Sequence, residues 1–310
     1  MFKALCIFCG IIAAGILIFL NPLTQLANLS FKSELYSHFF LIPAISLYFF
    51  FTNRKIIFSD FKPQWATGFK VILAGIIFYT IGVLSKNTLA ENDYLSLSVF
   101  GFVLWLMGGF VGVFGVDTFR RACFPLLFLI FMVPIPLFLL DRIIYVLQVW
   151  SAHAVQPIFE IIRLPYIRDG VIYEVPGGVI IEVARQCSGI RSSIAMVITA
   201  VIAGHMFLQK HWTKIILVLC VLPVTIFKNA LRITSLTYLA STLDPSWLTD
   251  SWLHKSGGVV YLMIAFAILG PVLWALRKYE MRKPKKAHAK TRTREAMSNE
   301  QRVMSNKKKQ

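Results

Sequence analysis

A thiol, a guanidinium and an imidazole define the chemistry open to this chain. Cys187 lies in Arg185-Gln-Cys-Ser-Gly-Ile-Arg191, where a short β-like segment gives way to a long apolar helix. A helix N-terminus presents unpaired N–H groups and a positive dipole, and both favour a thiolate. Arg185 and Arg191 are close in sequence, and Ser188 with Gly189 forms a tight entry that admits a substrate backbone. Arg232, in Lys228-Asn229-Ala-Leu-Arg232, sits within a later apolar segment. A charge there costs ~2.5–3.5 kcal/mol, which implies a partner or a wet cavity, and Asn229 lies one turn deeper. His254, in Trp252-Leu-His254-Lys255-Ser-Gly-Gly258, precedes the last apolar segment. As a neutral imidazole it can take the thiol proton and later give one to a leaving amine.

Together the three groups suit attack of a thiolate on a peptide carbonyl, with the guanidinium aimed at the tetrahedral oxyanion. Collapse leaves a thioester. Water then gives proteolysis, whereas an amine or hydroxyl acceptor gives transfer, and the spacing does not choose between them. Each residue also has a plainer role open to it: a packing cysteine, an arginine snorkelling to headgroups, a surface histidine. A non-enzymatic transporter or polysaccharide-export component is the rival reading, with Arg232 and His254 lining a path. It requires polar residues through the bilayer centre, yet the middle of spans three to five carries little besides Tyr79 and Thr80. A metal site on Cys187 and His254 lacks the remaining ligands of a closed tetrahedral site, so no metal and no cofactor is expected. Cys6, Cys9, Cys123 and Cys220 have no polar company comparable with that of Cys187, and the five cysteines suggest no disulfide framework.

These groups must be positioned by membrane helices. With 57% hydrophobic residues and a mean hydropathy of +0.67, the sequence predicts an all-α polytopic membrane protein of about eight spans. The expected spans are 4–20, 36–51, 66–84, 94–116, 122–140, 188–208, 212–236 and 257–276. The first is read as a retained helix, because no small-residue cleavage site follows it. Most of the formal +17 charge lies in the tail from Arg277, and Arg54, Lys55, Lys62, Arg120, Arg121, Lys210 and Lys214 mark further basic loops. The positive-inside rule therefore places both termini in the cytoplasm and the 187–191 segment and His254 outside.

The stretch 143–162 is apolar, yet Asp141, Gln148, Gln156, Glu160 and Arg163 recur at helical spacing beside Ser151. It is read as an amphipathic helix in the interface and not as a ninth span, with a buried helix lining a cavity as the alternative. Residues 171–175 and 179–183 flank Pro176-Gly177-Gly178 as a small extracytoplasmic β-hairpin that leads into Cys187. The expected domain runs over 1–282, its motif-bearing part over 141–276. Residues 283–310 form a basic cytoplasmic tail, disordered and drawn to membrane lipids, not to nucleic acid.

The run Val183-Ala-Arg-Gln-Cys187-Ser-Gly-Ile-Arg-Ser192, Asn229-Ala-Leu-Arg232, and His254 with Gly257-Gly258 resembles the exosortase/archaeosortase family of integral-membrane cysteine transpeptidases. The resemblance implies Cys187 as nucleophile, His254 as acid/base and Arg232 as substrate or oxyanion anchor. It also implies partners: secreted proteins ending in a Pro-Glu-Pro-like motif, a transmembrane helix and a basic end, and a lipid or surface-polymer acceptor. The expected location is a bacterial inner membrane.

Overall fold

The computed structural model describes residues 1–183, 189–248 and 258–307. The chain is mostly helical and divides into two compact units, Met1–Val146 and Leu147–Gln310. That is a finer division than the single membrane domain and tail expected from the sequence.

In the first unit, α1 (Phe2–Ile18) and α2 (Leu20–Lys32) meet at a bend of 75°. They are followed by α3 (Leu41–Ile57), α4 (Trp65–Leu84), α5 (Glu91–Phe114) and the short α6 (Val116–Arg121) and α7 (Cys123–Phe128). α5 is the central element, 72% buried over its most apolar window, against 17% for α4. Glycines let these two helices touch backbone to backbone. A Cβ on Gly75 would lie 2.6 Å from the Gly101 carbonyl oxygen, and one on Gly101 the same distance from that of Gly75. A Cβ on Gly68 would meet the Gly112 Cα at 2.5 Å. Where lipid removes the hydrophobic drive between helices, such close approach supplies the packing instead.

The expected fifth span, 122–140, is not one helix. α7 and a following 3-10 turn end at Met132, which makes a stretch too short to cross ~30 Å of hydrocarbon. Pro134 and Pro136 explain the break, since neither has an N–H and each disfavours helix in the residue before it. The carbonyls freed there are satisfied from α5: Ser96 Oγ donates to Pro134 O at 2.7 Å and Asn92 Nδ2 to Ile135 O. Helix then resumes as α8 (Leu137–Ile161), which joins the end of the expected fifth span to the expected interfacial helix in 25 residues. Among the described residues six helices are long and apolar enough to cross a membrane, or seven if the bent α1–α2 pair is one span, where the sequence suggested eight.

In the second unit the later part of α8 is followed by an antiparallel sheet of order β1-β2-β3: Ile167–Asp169, Ile172–Val175 and Val179–Glu182. β2 and β3 pair across Pro176-Gly177-Gly178, and both glycines have positive φ, as a tight turn requires. β1 was not anticipated. Tyr173, Val175, Val179 and Val183 face inward onto Ala152, Val155 and Phe159 of α8 and onto Ala230 and Ile233. The polar stripe of α8 is bonded to protein. Gln148 Nε2 donates to Val183 O at 2.7 Å, and Arg168 Nη1 donates to Gln156 at 3.0 Å. Tyr166 donates to Glu160 at 3.3 Å, and the buried Tyr173 hydroxyl, its pKa pushed up by burial, donates to Ala152 O. Two positions of the expected polar stripe, Gln148 and Gln156, are thus bonded to the sheet and its adjoining carbonyl.

α9 (Ile190–Phe207), α10 (His211–Thr242) and α11 (Gly258–Lys307) complete the unit. Met196, Ala200, Leu217, Val221, Ala265 and Leu269 form the core of this trio. Beyond the end of α9, Glu280 of α11 accepts from the backbone N–H groups of Gln209 (2.8 Å) and Lys210 (2.9 Å) and from the Thr213 hydroxyl, so it caps the start of α10. The backbone of the basic tail continues α11 as helix to Lys307, where the sequence suggested disorder. Its Ala, Lys, Arg, Glu, Gln and Met content favours helix.

Replacing Gly75 by Leu should destabilise the first unit by ~1–3 kcal/mol through overpacking. Gly10→Leu, at a position with nothing within 4 Å, should leave thermal unfolding in detergent unchanged.

Candidate active site

The residues that can be placed converge on the first turn of α9. Gly189 opens this helix at φ 74, the left-handed region, and its carbonyl accepts from Ser193 N (3.0 Å), Ser192 Oγ (2.9 Å) and Ser193 Oγ (2.8 Å). α10 runs antiparallel to α9 and packs its polar residues there. Thr225 Oγ1 meets the Met196 sulfur at 3.8 Å, Lys228 Nζ donates to Ser192 Oγ, and Asn229 lies against Gly189. A Cβ on Gly189 would stand 3.3 Å from Lys228 Nζ and 3.4 Å from Asn229 Oδ1. Only glycine suits both this contact and the positive φ.

Asn229 is fully buried. Its Nδ2 donates to the buried Ser151 Oγ of α8 at 2.9 Å, and its Oδ1 has no partner among the described residues. Lys228 is 3% exposed, and no carboxylate pairs with it among the described residues. Arg232 is half-buried, one turn further along the same stripe of α10. Three residues beyond it, Ser235 shares a hydrogen bond with the buried Tyr261 in the first turn of α11.

Of the residues singled out from sequence, Asn229 and Gly189 are thus in contact, and Arg232 follows Asn229 by three residues on α10. Arg191, in the first turn of α9, is exposed. Cys187, Arg185, Ser188 and His254 lie outside the described residues. Sequence reasoning missed Lys228, Ser192 and Ser151. Lys228 carried the same signal that drew attention to Arg232, a charge within an apolar segment. Ser192 stood only at the end of the resembling run and Ser151 only beside the polar stripe, and the partner of a lone helical serine is hidden until its neighbour across the interface is known. No cluster of three or more His, Cys, Asp or Glu able to hold a metal occurs among the described residues.

The model of the transmembrane exosortase family matches residues 27–270, from within α2 to within α11. The chain belongs to that family and is a multi-pass membrane protein. The match covers the quoted motifs from Val183 to Gly258 and ends six residues before the end of the expected motif-bearing part, 141–276. No curated protein and no solved structure matches the chain.

Separate and joint replacement of Ser151 and Asn229 by Ala should show a coupling of ~1 kcal/mol in unfolding free energy. Additive effects would mean that the bond between the two side chains contributes nothing.

Proposed function

We propose that this protein is a membrane-embedded thiol peptidase and transpeptidase. It cleaves the C-terminal sorting signal of secreted proteins at the outer membrane face and passes them, through a thioester on Cys187, to a lipid or surface-polymer acceptor. The observation that carries this reading is the packing of Lys228 and Asn229 on Gly189, two residues after Cys187 and one turn before Arg232. Two chain steps limit the Cys187 Cα to within about 7.6 Å of the Gly189 Cα. His254 precedes α11 by four residues, and α11 is tied to α10 at Ser235, one turn from Arg232. Chain connectivity therefore allows sulfur, guanidinium and imidazole to meet.

In the first step the Cys187 thiolate attacks the scissile carbonyl. Arg232 stabilises the oxyanion, and protonated His254 gives its proton to the departing amine as the C–N bond breaks. In the second, neutral His254 removes a proton from the acceptor, which attacks the thioester and regenerates the thiolate. The amide or ester formed replaces the amide lost, so atoms balance without a cofactor. Arg185, Ser188, Arg191 and Asn229 support the substrate and the loop that carries the thiol.

The length of α9 supports this choice of membrane side. Its 18 residues span ~27 Å, near the hydrocarbon thickness, so the Gly189 end and the Glu280-capped end lie at opposite faces. Arg277, Lys278 and the basic tail cluster at the Glu280 end. The positive-inside rule supports a cytoplasmic place for that end and an external one for the thiol end, and the membrane we propose is a bacterial inner membrane.

A reporter carrying a Pro-Glu-Pro segment, a transmembrane helix and a basic end tests the reading. Cys187→Ala should abolish its processing with membrane insertion intact. His254→Ala and Arg232→Ala should each lower the rate ~10²-fold or more. Undiminished processing by Cys187→Ala would remove the proposal.

A further inference from the structure

Lys228 and Ser192 form an amine–hydroxyl pair between two helices. Lys228, on α10, is 3% exposed and its Nζ donates to Oγ of Ser192, which is half-buried in the first turn of α9. A lysine that served only as surface charge would carry its head out to water. Lysine also differs from arginine in giving up its proton where water is excluded, which is how it serves as a general base. The hydroxyl is able to turn towards that base. Ser192 Oγ donates to Gly189 O at 2.9 Å, but the same carbonyl accepts from Ser193 N at 3.0 Å and from Ser193 Oγ at 2.8 Å, so it stays satisfied when Ser192 gives its proton to the amine. α9 begins at Ile190, and the N–H groups of its first turn precede the bond from Ser193 N, which leaves them available to an oxyanion formed at Ser192. Asn229 is an independent sign of a ligand. It is fully buried, its Oδ1 has no partner among the described residues, and that oxygen and Lys228 Nζ approach one point, the Cβ position of Gly189, at 3.4 and 3.3 Å. Native interiors seldom leave such an atom open, so it reserves a place for a donor group.

We propose that Ser192 and Lys228 are a second nucleophile and its base, giving the protein an acyl-transfer activity on carbonyl substrates that needs no sulfur. Serine–lysine pairs carry such chemistry on other folds. The neutral amine of Lys228 takes the Ser192 proton as Oγ bonds to the carbonyl carbon of the acyl donor. Collapse of the oxyanion breaks the bond to the leaving group, which departs with the proton returned by the ammonium, and an acyl ester remains on Ser192. Water then gives a proton to the same amine and adds to the ester, and the ammonium returns that proton to Oγ as the acid leaves. The proposal stands on residues of α9 and α10 and is independent of the role of Cys187.

An alkyl fluorophosphonate tests the pair on the full chain reconstituted in liposomes. Its phosphorus stands in for the carbonyl carbon, fluoride leaves, and the adduct is permanent. Trypsin cuts after Arg191, so Cys187 and Ser192 fall in different peptides and mass spectrometry reads each by itself. A phosphonyl group should appear on the peptide that begins at Ser192, in the wild type and in Cys187→Ala alike. It should vanish in Ser192→Ala and persist in Ser193→Ala. Lys228→Met and Lys228→Arg should each slow the labelling ~10²-fold or more. The arginine variant is the sharper of the two, because it keeps the charge and a donor for Ser192 but cannot serve as a base. A wild-type Ser192 that resists the probe, or one labelled in Lys228→Arg as fast as in the wild type, overturns the proposal whether or not the methionine variant folds.

Discussion

Two polar side chains buried at the start of a membrane helix govern the second unit. A lysine and an asparagine inside a candidate span are each expensive, and they persist only where neighbours satisfy them. Ser192 takes the lysine, Ser151 takes the asparagine amide, and Gly189 leaves room for both. This requirement fixes how α9, α10 and α8 approach one another, because a shift of one turn along any of them would strand a buried polar atom. The sheet follows from it, since Gln148, three residues before Ser151 on α8, holds the carbonyl at the end of the strand that leads towards Cys187.

The opposite end of α9 is anchored by the same logic with opposite sign. There a carboxylate, Glu280, satisfies the N–H groups that open α10, and aromatic rings stack under the neighbouring cations, with Arg277 over Phe207 and Lys210 over Tyr279. One end of the helix trio sets Lys228 and Asn229 on a glycine, and the other sets a carboxylate among its cations.

Much of this was legible in the residues. Long apolar runs announced the helices, the Pro-Gly-Gly turn announced the pairing of β2 with β3, and Asn229 and Gly189 were both singled out before their contact was known. What stayed hidden depended on partners distant in sequence. Hydropathy continues unbroken through Pro134 and Pro136, so the break between α7 and α8 shows only once Asn92 and Ser96 are seen holding the freed carbonyls. The stripe on α8 has the periodicity of a wet face, and periodicity alone cannot tell water from a sheet that offers Arg168 and the Val183 carbonyl. β1 escaped notice because three residues are too few for a pattern. Lys228 was passed over beside Arg232, although the same cost argument applied to it.

The central claim is that the sulfur of Cys187 carries the substrate between two steps. Mass spectrometry of the Cys187 peptide after brief incubation with the reporter, with and without hydroxylamine, tests this most directly. The account predicts a reporter fragment joined to that sulfur and released by hydroxylamine. Processed reporter accumulating while Cys187 remains unmodified, with the adduct found on another residue, would contradict it.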